Sequence, residues 1–404
     1  MSMFPPAPKP PTLLGYHRVL SPSAGVKVSP LCLGAMNFGD AWKEYMGECN
    51  KEQTFALLDA FYEAGGNFID TANNYQQEES EKWIGEWLKK RGNRDQMVIA
   101  TKYTTGFRTS HRATEPLQSN FVGNSFKSMR VSVDNSLRKL QTDYIDILYL
   151  HWWDFTTSVE EVMHGLNSLV TAGKVLYLGV SDTPAWVVVK ANDYARAHGL
   201  KPFSVYQGKW NAAYRDMERE IVPMCRDQGM GIAPWAPLGG GKFKSAEARK
   251  AASSGGSNRG AEMSESDIRI SDALEKIAER KKTTLHAIVS HPCQYPYLYS
   301  ITDQCPCQAL AYVMHKTPNV FPIVGQRKIE HLKANIEALS ISLSDADMDE
   351  IDGATEFDVG FPMSFIFREF TGRNTAADVW LTKASALIDA PPQPGPVRHR
   401  EAER

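Results

Sequence analysis

Residues 144–153, YIDILYLHWW, decide the fold. Apolar side chains occupy both sets of alternating positions, so this strand has both faces covered, as in a parallel sheet packed under helices. Working outward, similar short runs recur along the chain. They are SPLCLGA (29–35), GNFIDTA (66–72), QMVIATK (96–102), VLYLGVS (175–181), FSVYQGK (203–209), MGIAPWA (230–236) and NVFPIVG (319–325). Between them lie stretches of helical period, among them Thr54–Ala64, Glu78–Arg91, Ser125–Leu140, Val159–Ala172, Ala185–His198 and Met217–Gln228. Eight strand–helix units predict an α/β fold of the (β/α)8 TIM-barrel type. An open doubly wound sheet is the rival, and it is disfavoured because no G-x-G-x-x-G follows the first strand.

Arg18–Val28, with the turn-like SPSAG at 21–25, is expected to be an N-terminal hairpin closing the barrel floor. Residues 237–263 are glycine-rich, polar and too long for an ordinary connection, and are read as a mobile loop after strand seven. The predicted organisation is an arm and hairpin over 1–27, a barrel over 28–355 and a partly disordered C-terminal extension over 356–404. The last part is loosely attached from about residue 386.

Residues 282–316 should form the seventh barrel helix, but Pro292, Pro296 and Pro306 interrupt it. An interior proline costs a helix ~3 kcal/mol. Removing Val289–Gln308 leaves TTLHAI joined to ALAYVMHK, a continuous amphipathic helix. The stretch starts at a Val codon and ends at Gln, as a retained in-frame intron would. A spliced transcript that keeps these codons would refute that reading. His291, Cys293, Cys305 and Cys307 match no standard zinc spacing, and no metal is expected.

The chain has 404 residues, 42% of them apolar and 23% charged, with a formal net charge of −2. That balance gives no reason to expect nucleic acid or an anionic membrane as partner. Six cysteines, a proline-rich start (MSMFPPAPKPP) and no N-x-S/T sequon favour a cytoplasmic protein. The expected oligomeric state is a monomer or weak homo-oligomer.

The C-terminal ends of barrel strands face the active site. Those ends present Asp70 (strand two), Tyr75 just after it, Lys102 (strand three) and His151 (strand four). Reduction of a carbonyl by hydride needs an acid for the developing alkoxide. Tyrosine's ordinary pKa of ~10 is high for that task, and a neighbouring Lys⁺ lowers it. Asp70 would hold the ammonium, and His151 would orient the carbonyl. Around this group stand Trp152, Trp153, Tyr103, Phe107 and Trp210, an aromatic rim suited to a bulky, flat carbonyl compound. Trp152, Tyr103 and Phe107 are the expected substrate contacts. A glycoside hydrolase would need two flanking carboxylates, and only Asp70 is offered here.

The runs AGGNFIDTANNYQ (64–76), GNRDQMVIATK (92–102), SLRKLQTDYIDILYLHWWD (136–154), GKVLYLGVSDTPAWVV (173–188) and KIEHLKANIEALSI (328–341) resemble the signature segments of the aldo-keto reductase superfamily. The likeness spans roughly residues 13–365 and is strongest to the fungal branch of aryl-alcohol dehydrogenases and norsolorinic acid reductase-like enzymes. It implies NADP(H) lying extended across the barrel mouth. Ser181, Asp182 and Gln207 would bind the nicotinamide carboxamide, with Trp235 stacked on the ring. Leu238, Gly239, Gly240, Gly241 and Lys242 would form the pyrophosphate loop. Gly325, Gln326, Arg327 and Lys328 open a helix whose N-terminus favours an anion, and Arg327 suits an adenosine 2′-phosphate. His331 and Asn335 would face the adenine. The alternative is a cofactor-binding regulatory or catalytically impaired relative of the same family.

Overall fold

The computed structural model describes residues 4–252, 263–281 and 305–397. Eight parallel strands form the core: β3 (Cys32–Gly34), β4 (Phe68–Asp70), β5 (Val98–Tyr103), β6 (Ile145–Leu150), β7 (Val175–Ser181), β8 (Val205–Lys209), β9 (Gly231–Trp235) and β10 (Ile323–Val324). Neighbours pair in the order β10-β3-β4-β5-β6-β7-β8-β9. A parallel bridge from Val320 to Ile232 joins the two ends of that sheet, closing the barrel. β1 (Arg18–Ser21) and β2 (Ala24–Val28) form the antiparallel hairpin expected from the sequence. Leu20, Ala24 and Val28 plug the floor, packed with Phe68, Val98 and Phe321 in one buried cluster.

Side-chain alternation then decides which residues face inward. Cys32, Phe68, Val98, Ala100, Ile147, Tyr149, Val205 and Ala233 fill the barrel interior. The intervening residues Leu33, Ile69, Ile99, Leu148, Leu150 and Ile232 pack outward in a second, larger cluster with the helices. Two residues beyond Phe68, Ala100, Tyr149, Val205 and Ala233 come Asp70, Lys102, His151, Gln207 and Trp235. A period of two therefore delivers five candidate site residues to one mouth.

After a short helix, α1 (Lys43–Met46), six helices sit close to the spans read from the sequence: α2 (Lys51–Glu63), α3 (Glu79–Arg91), α4 (Phe126–Leu140), α5 (Val159–Thr171), α6 (Ala185–Ala197) and α7 (Ile221–Gln228). Their starts follow from capping chemistry. Asn50 and Gln53 make a capping box on α2, while Ser125 and Ser158 cap α4 and α5. α3 and α4 begin one residue later than expected and α7 four residues later, because Asp216–Glu218 makes a separate 3-10 turn first.

Two expectations change. Residues 237–263 are not one open loop, since Ala246–Ala252 forms a helix, α8. A further helix, α9 (Glu265–Lys281), precedes α10 (Cys305–Lys316). Most of the Val289–Gln308 stretch lies outside the described residues, but 305–308 forms the first turn of α10. Pro306 is tolerated there because a first-turn N–H has no helical partner to lose. Ala309–Val313 are at most 1% exposed, and the Lys316 ammonium lies 2.7 Å from Asp352 Oδ2. The helix thus docks fully from Ala309 onward. After β10 come α11 (Ile329–Glu337) and α12 (Asp345–Gly353). The extension adds two short helices, Met363–Ile366 and Trp380–Ser385, before an exposed tail. No helix among the described residues is long and apolar enough to cross a membrane.

Candidate active site

Lys102 is wholly buried, and its ammonium donates to Asp70 Oδ1 at 2.5 Å, Thr71 O at 2.7 Å and the Tyr75 hydroxyl at 3.4 Å. Gln207 Nε2 donates to the other Asp70 oxygen at 2.8 Å. Both carboxylate oxygens are thereby fixed, and the ammonium has no spare direction. Burial pulls the Lys102 pKa down, but Asp70 and Tyr75 outweigh it, so the net direction is up and the cation is secure.

Tyr75 behaves differently from the expectation. Burial raises its pKa, and this outweighs the downward pull of Lys102, with Asp70 and Asp182 adding to the rise. The net direction is therefore upward, not downward. The reason is physical: desolvation of a phenolate exceeds what a cation 3.4 Å away returns, because Asp70 already claims that cation. A protonated tyrosine beside a fixed ammonium remains a proton donor.

The chain beyond Tyr75 is strained. Gln76, Gln77 and Glu78 all have positive φ (52°, 50° and 79°), rare for residues with a β-carbon. Side chains hold this turn in place. Gln76 accepts from Trp42 N at 2.7 Å and donates to Met36 O at 3.0 Å. The Glu78 carboxylate lies 3.1 Å from Lys139 Nζ and 3.2 Å from Arg108 Nη1, and Lys139 also lies 2.7 Å from Glu81. Lys139 further donates to Asn73 O. This buried cluster over-determines the segment that carries Tyr75.

His151 sits at the end of β6 with its ring edge-on to Tyr75, centroids 6.1 Å apart. Burial and then Lys102 lower its pKa to about 3, so the imidazole is neutral in the physiological range. The structure thus brings Asp70, Tyr75, Lys102 and His151 together at one end of the barrel.

The aromatic rim is only partly as expected. Tyr103 follows inward-facing Lys102, so alternation turns it outward, fully buried in the larger cluster that packs under the helices. Phe107 is 2% exposed, edge-on to Phe121 and 5.1 Å from Lys139 Nζ, beneath the loop. Neither lines the mouth. Trp210 is also buried, donating to Glu218, and Trp153 packs against the outer core. Trp152 remains half-buried beside His151, but its indole N–H is committed to Thr105 Oγ1 at 3.0 Å. Trp42, which sequence reasoning missed, stands edge-on to Tyr75 at 6.4 Å. Its only sequence signal is its place in the loop after the first barrel strand.

The other strand ends carry polar groups that fit a dinucleotide. Ser181 Oγ and Gln326 Nε2 are buried with no hydrogen-bond partner among the described residues, an arrangement that a bound polar ligand would satisfy. Trp235 donates to Asp182 Oδ1 at 3.2 Å, which fixes the indole plane. Gly239, Gly240 and Gly241 all have positive φ, and a Cβ on the latter two would meet open space. Leu238 precedes them, and Lys242 reaches Asp267 at 3.2 Å. Beyond β10, Gly325, Arg327, Lys328 and His331 are exposed. The α11 N-terminus has no side-chain cap. Asn335 is 5% exposed and donates to Gln326 Oε1 at 3.2 Å, so it supports Gln326 from beneath.

A closed (β/α)8 barrel with this strand-end set, and a sequence match across it, fix the family. The model described as "Aldo/keto reductase family" matches residues 30–291 and 305–356. The chain belongs to the aldo-keto reductase family. That match breaks across 292–304, within the stretch whose prolines interrupt the seventh helix. Among similar aldo-keto reductases is norsolorinic acid reductase A of Aspergillus parasiticus, 53% identical over 98% of this chain and 96% of that protein. Norsolorinic acid reductase B of Dothistroma septosporum is 53% identical over 95% and 94% of the two chains. Aryl-alcohol dehydrogenase [NADP(+)] of Phanerodontia chrysosporium is 53% identical over 90% and 91%. This aldo-keto reductase is an oxidoreductase acting on carbonyl and alcohol groups.

Proposed function

We propose that this enzyme uses NADPH to reduce a bulky aromatic or polyketide-type aldehyde or ketone to its alcohol, in fungal secondary or aryl-alcohol metabolism. The names of the relatives support the substrate class, and the half-buried Trp42 and Trp152 at the mouth support a flat, bulky ligand. When bound, the cofactor supplies the hydride. Tyr75 gives its hydroxyl proton to the carbonyl oxygen as negative charge develops there. Lys102 then stabilises the phenolate left behind, held for this by Asp70 and Thr71 O. His151, neutral, donates a second hydrogen bond that orients the carbonyl.

Ser181, Asp182, Gln207 and Trp235 would hold the nicotinamide end. Gln207 would offer its amide oxygen, since its nitrogen serves Asp70. Leu238–Lys242 would hold the pyrophosphate and Gly325–Lys328 the 2′-phosphate, with His331 and Asn335 on the adenine side. We place the enzyme in the cytoplasm as a monomer or weak homo-oligomer, a reading that rests on composition.

The observation that carries the catalytic reading is the buried Asp70–Lys102–Tyr75 line. The test is NADPH oxidation with aromatic aldehydes and quinones. Tyr75→Phe should lower kcat by roughly 10²–10⁴-fold while leaving NADPH binding unchanged by fluorescence titration. Turnover that survives this substitution would overturn the mechanism.

A further inference from the structure

We infer that Thr105 is a positioning residue: held by Trp152, it sets the tautomer of His151 so that Nε2 carries the proton offered to the substrate carbonyl. This rests on the role proposed for His151.

Thr105 lies in the loop after β5, three residues beyond Lys102. Its Oγ1 is 3.0 Å from Trp152 Nε1 and 3.2 Å from His151 Nδ1. Its backbone carbonyl accepts from Asn73 Nδ2 at 3.2 Å, which ties the loop to the strand-two end. The His151 backbone N–H is held by Thr104 Oγ1 and Tyr103 O, each at 3.3 Å.

Donor and acceptor counting orders this chain. An indole N–H only donates, so Thr105 Oγ1 must accept from Trp152. A hydroxyl has a single proton to give, and His151 Nδ1 is the acceptor within reach among the described residues. If His151 instead carried its proton on Nδ1, that proton would point at the Thr105 oxygen, and the hydroxyl proton would lose its acceptor. The arrangement with every group paired runs from Trp152 N–H to Thr105 Oγ1, then from Thr105 O–H to His151 Nδ1. The neutral ring then has its one N–H on Nε2. In an imidazole the partner of one nitrogen dictates the state of the other. The substrate oxygen consequently meets two donors, the Tyr75 hydroxyl and His151 Nε2–H, neither of which needs to reorganise. The Trp152 indole N–H, by contrast, is spent on this relay and is not offered to substrate.

The tautomer can be read without turnover, by ¹⁵N–¹H correlation spectra of the histidine side chains of the full chain at neutral pH. His151→Gln identifies the signal. In the wild type His151 should show a protonated Nε2 and an unprotonated, hydrogen-bonded Nδ1. Thr105→Val, which keeps the shape and removes the hydroxyl, should shift the Nδ1 signal. It should also lower kcat on the order of ten- to a hundredfold, by analogy with the loss seen when the hydrogen-bond partner behind a metal-bound imidazole is removed, with NADPH affinity unchanged. Thr105→Ser should restore both readouts. An Nδ1-protonated His151 in the wild type would overturn the inference, as would Thr105→Val with wild-type spectrum and kcat. Because the spectrum is independent of turnover, a failure of the Tyr75 mechanism would leave this result standing or falling by itself.

Discussion

At the ends of β4, β5 and β6, the side chains that matter are held by other side chains. Lys102 has three acceptors, both Asp70 oxygens are engaged, and His151 is set by Thr105. Trp235 and Gln326, at the ends of β9 and β10, are held in the same way, but the candidate phosphate-binding residues beside them are not. Gly239–Gly241 present bare backbone at positive φ, Arg327 and Lys328 are exposed, and α11 starts without a side-chain cap. Proton transfer needs groups already placed, because reorganising dipoles during the reaction raises the barrier. Gripping phosphates needs donors and positive charge, and water can occupy them in the meantime. Damage to the first region should therefore appear in kcat, and damage to the second in the cofactor KM.

The largest effect should come from the first region. Lys102→Met leaves Asp70 buried without its cation and Tyr75 without support for a phenolate. We expect kcat to fall by roughly 10²–10⁴-fold. Tyr75→Phe with Lys102→Met should be little worse than the poorer single variant, because the two act as a unit. Additive losses in steady-state assays would mean that Lys102 acts independently of Tyr75, and the region would lose its unity.

The same contrast explains what could be read from sequence. Asp70, Lys102 and His151 end strands whose burial pattern is visible in the residues themselves, so a period of two and a strand end suffice to place them. Tyr103 turns away from the mouth because adjacency in sequence to Lys102 means the opposite face of the strand. Thr105 and Trp42 act through contacts between separate loops, which no local pattern records. The helix α8 was hidden because AEARKAA sits between glycine-rich stretches that dominate the reading of 237–263. Pro306 reads as a breaker until the helix is seen to start at Cys305, which puts it in the first turn. The glycine loop and Arg327 are legible as residue types, but the positive φ of the glycines and the exposure of Arg327 are not.

In the second region, Arg327→Ala should raise the KM for NADPH by about 10- to 100-fold, the loss of one or two charge-assisted hydrogen bonds. NADH, which lacks the 2′-phosphate, should be nearly unaffected, and kcat at saturation should hold. Equal changes with both cofactors would remove the 2′-phosphate assignment.

The smallest predicted effect probes whether the two regions are really separate. Gly47 follows the short helix Lys43–Met46 in the loop that also carries Trp42, and it has φ +80°. A Cβ there would lie 1.7 Å from Arg327 Nη1 and 2.6 Å from Cζ. Gly47→Ala therefore forces the guanidinium aside and adds ~1–3 kcal/mol of backbone strain, because φ 80° with ψ 159° is a region nearly reserved for glycine. Because Arg327 is flexible and exposed, it can move, and the KM for NADPH should rise only about 3- to 10-fold, within the worth of one charge-assisted hydrogen bond. With Arg327→Ala already present there is no guanidinium to displace, so Gly47→Ala should add nothing to the NADPH KM. NADH kinetics should not change. A fall in kcat with both cofactors would show that the strain travels instead through Trp42 and Gln76 to the Tyr75 turn. In that case the loop joins the two regions, and the kcat-against-KM division drawn between them fails.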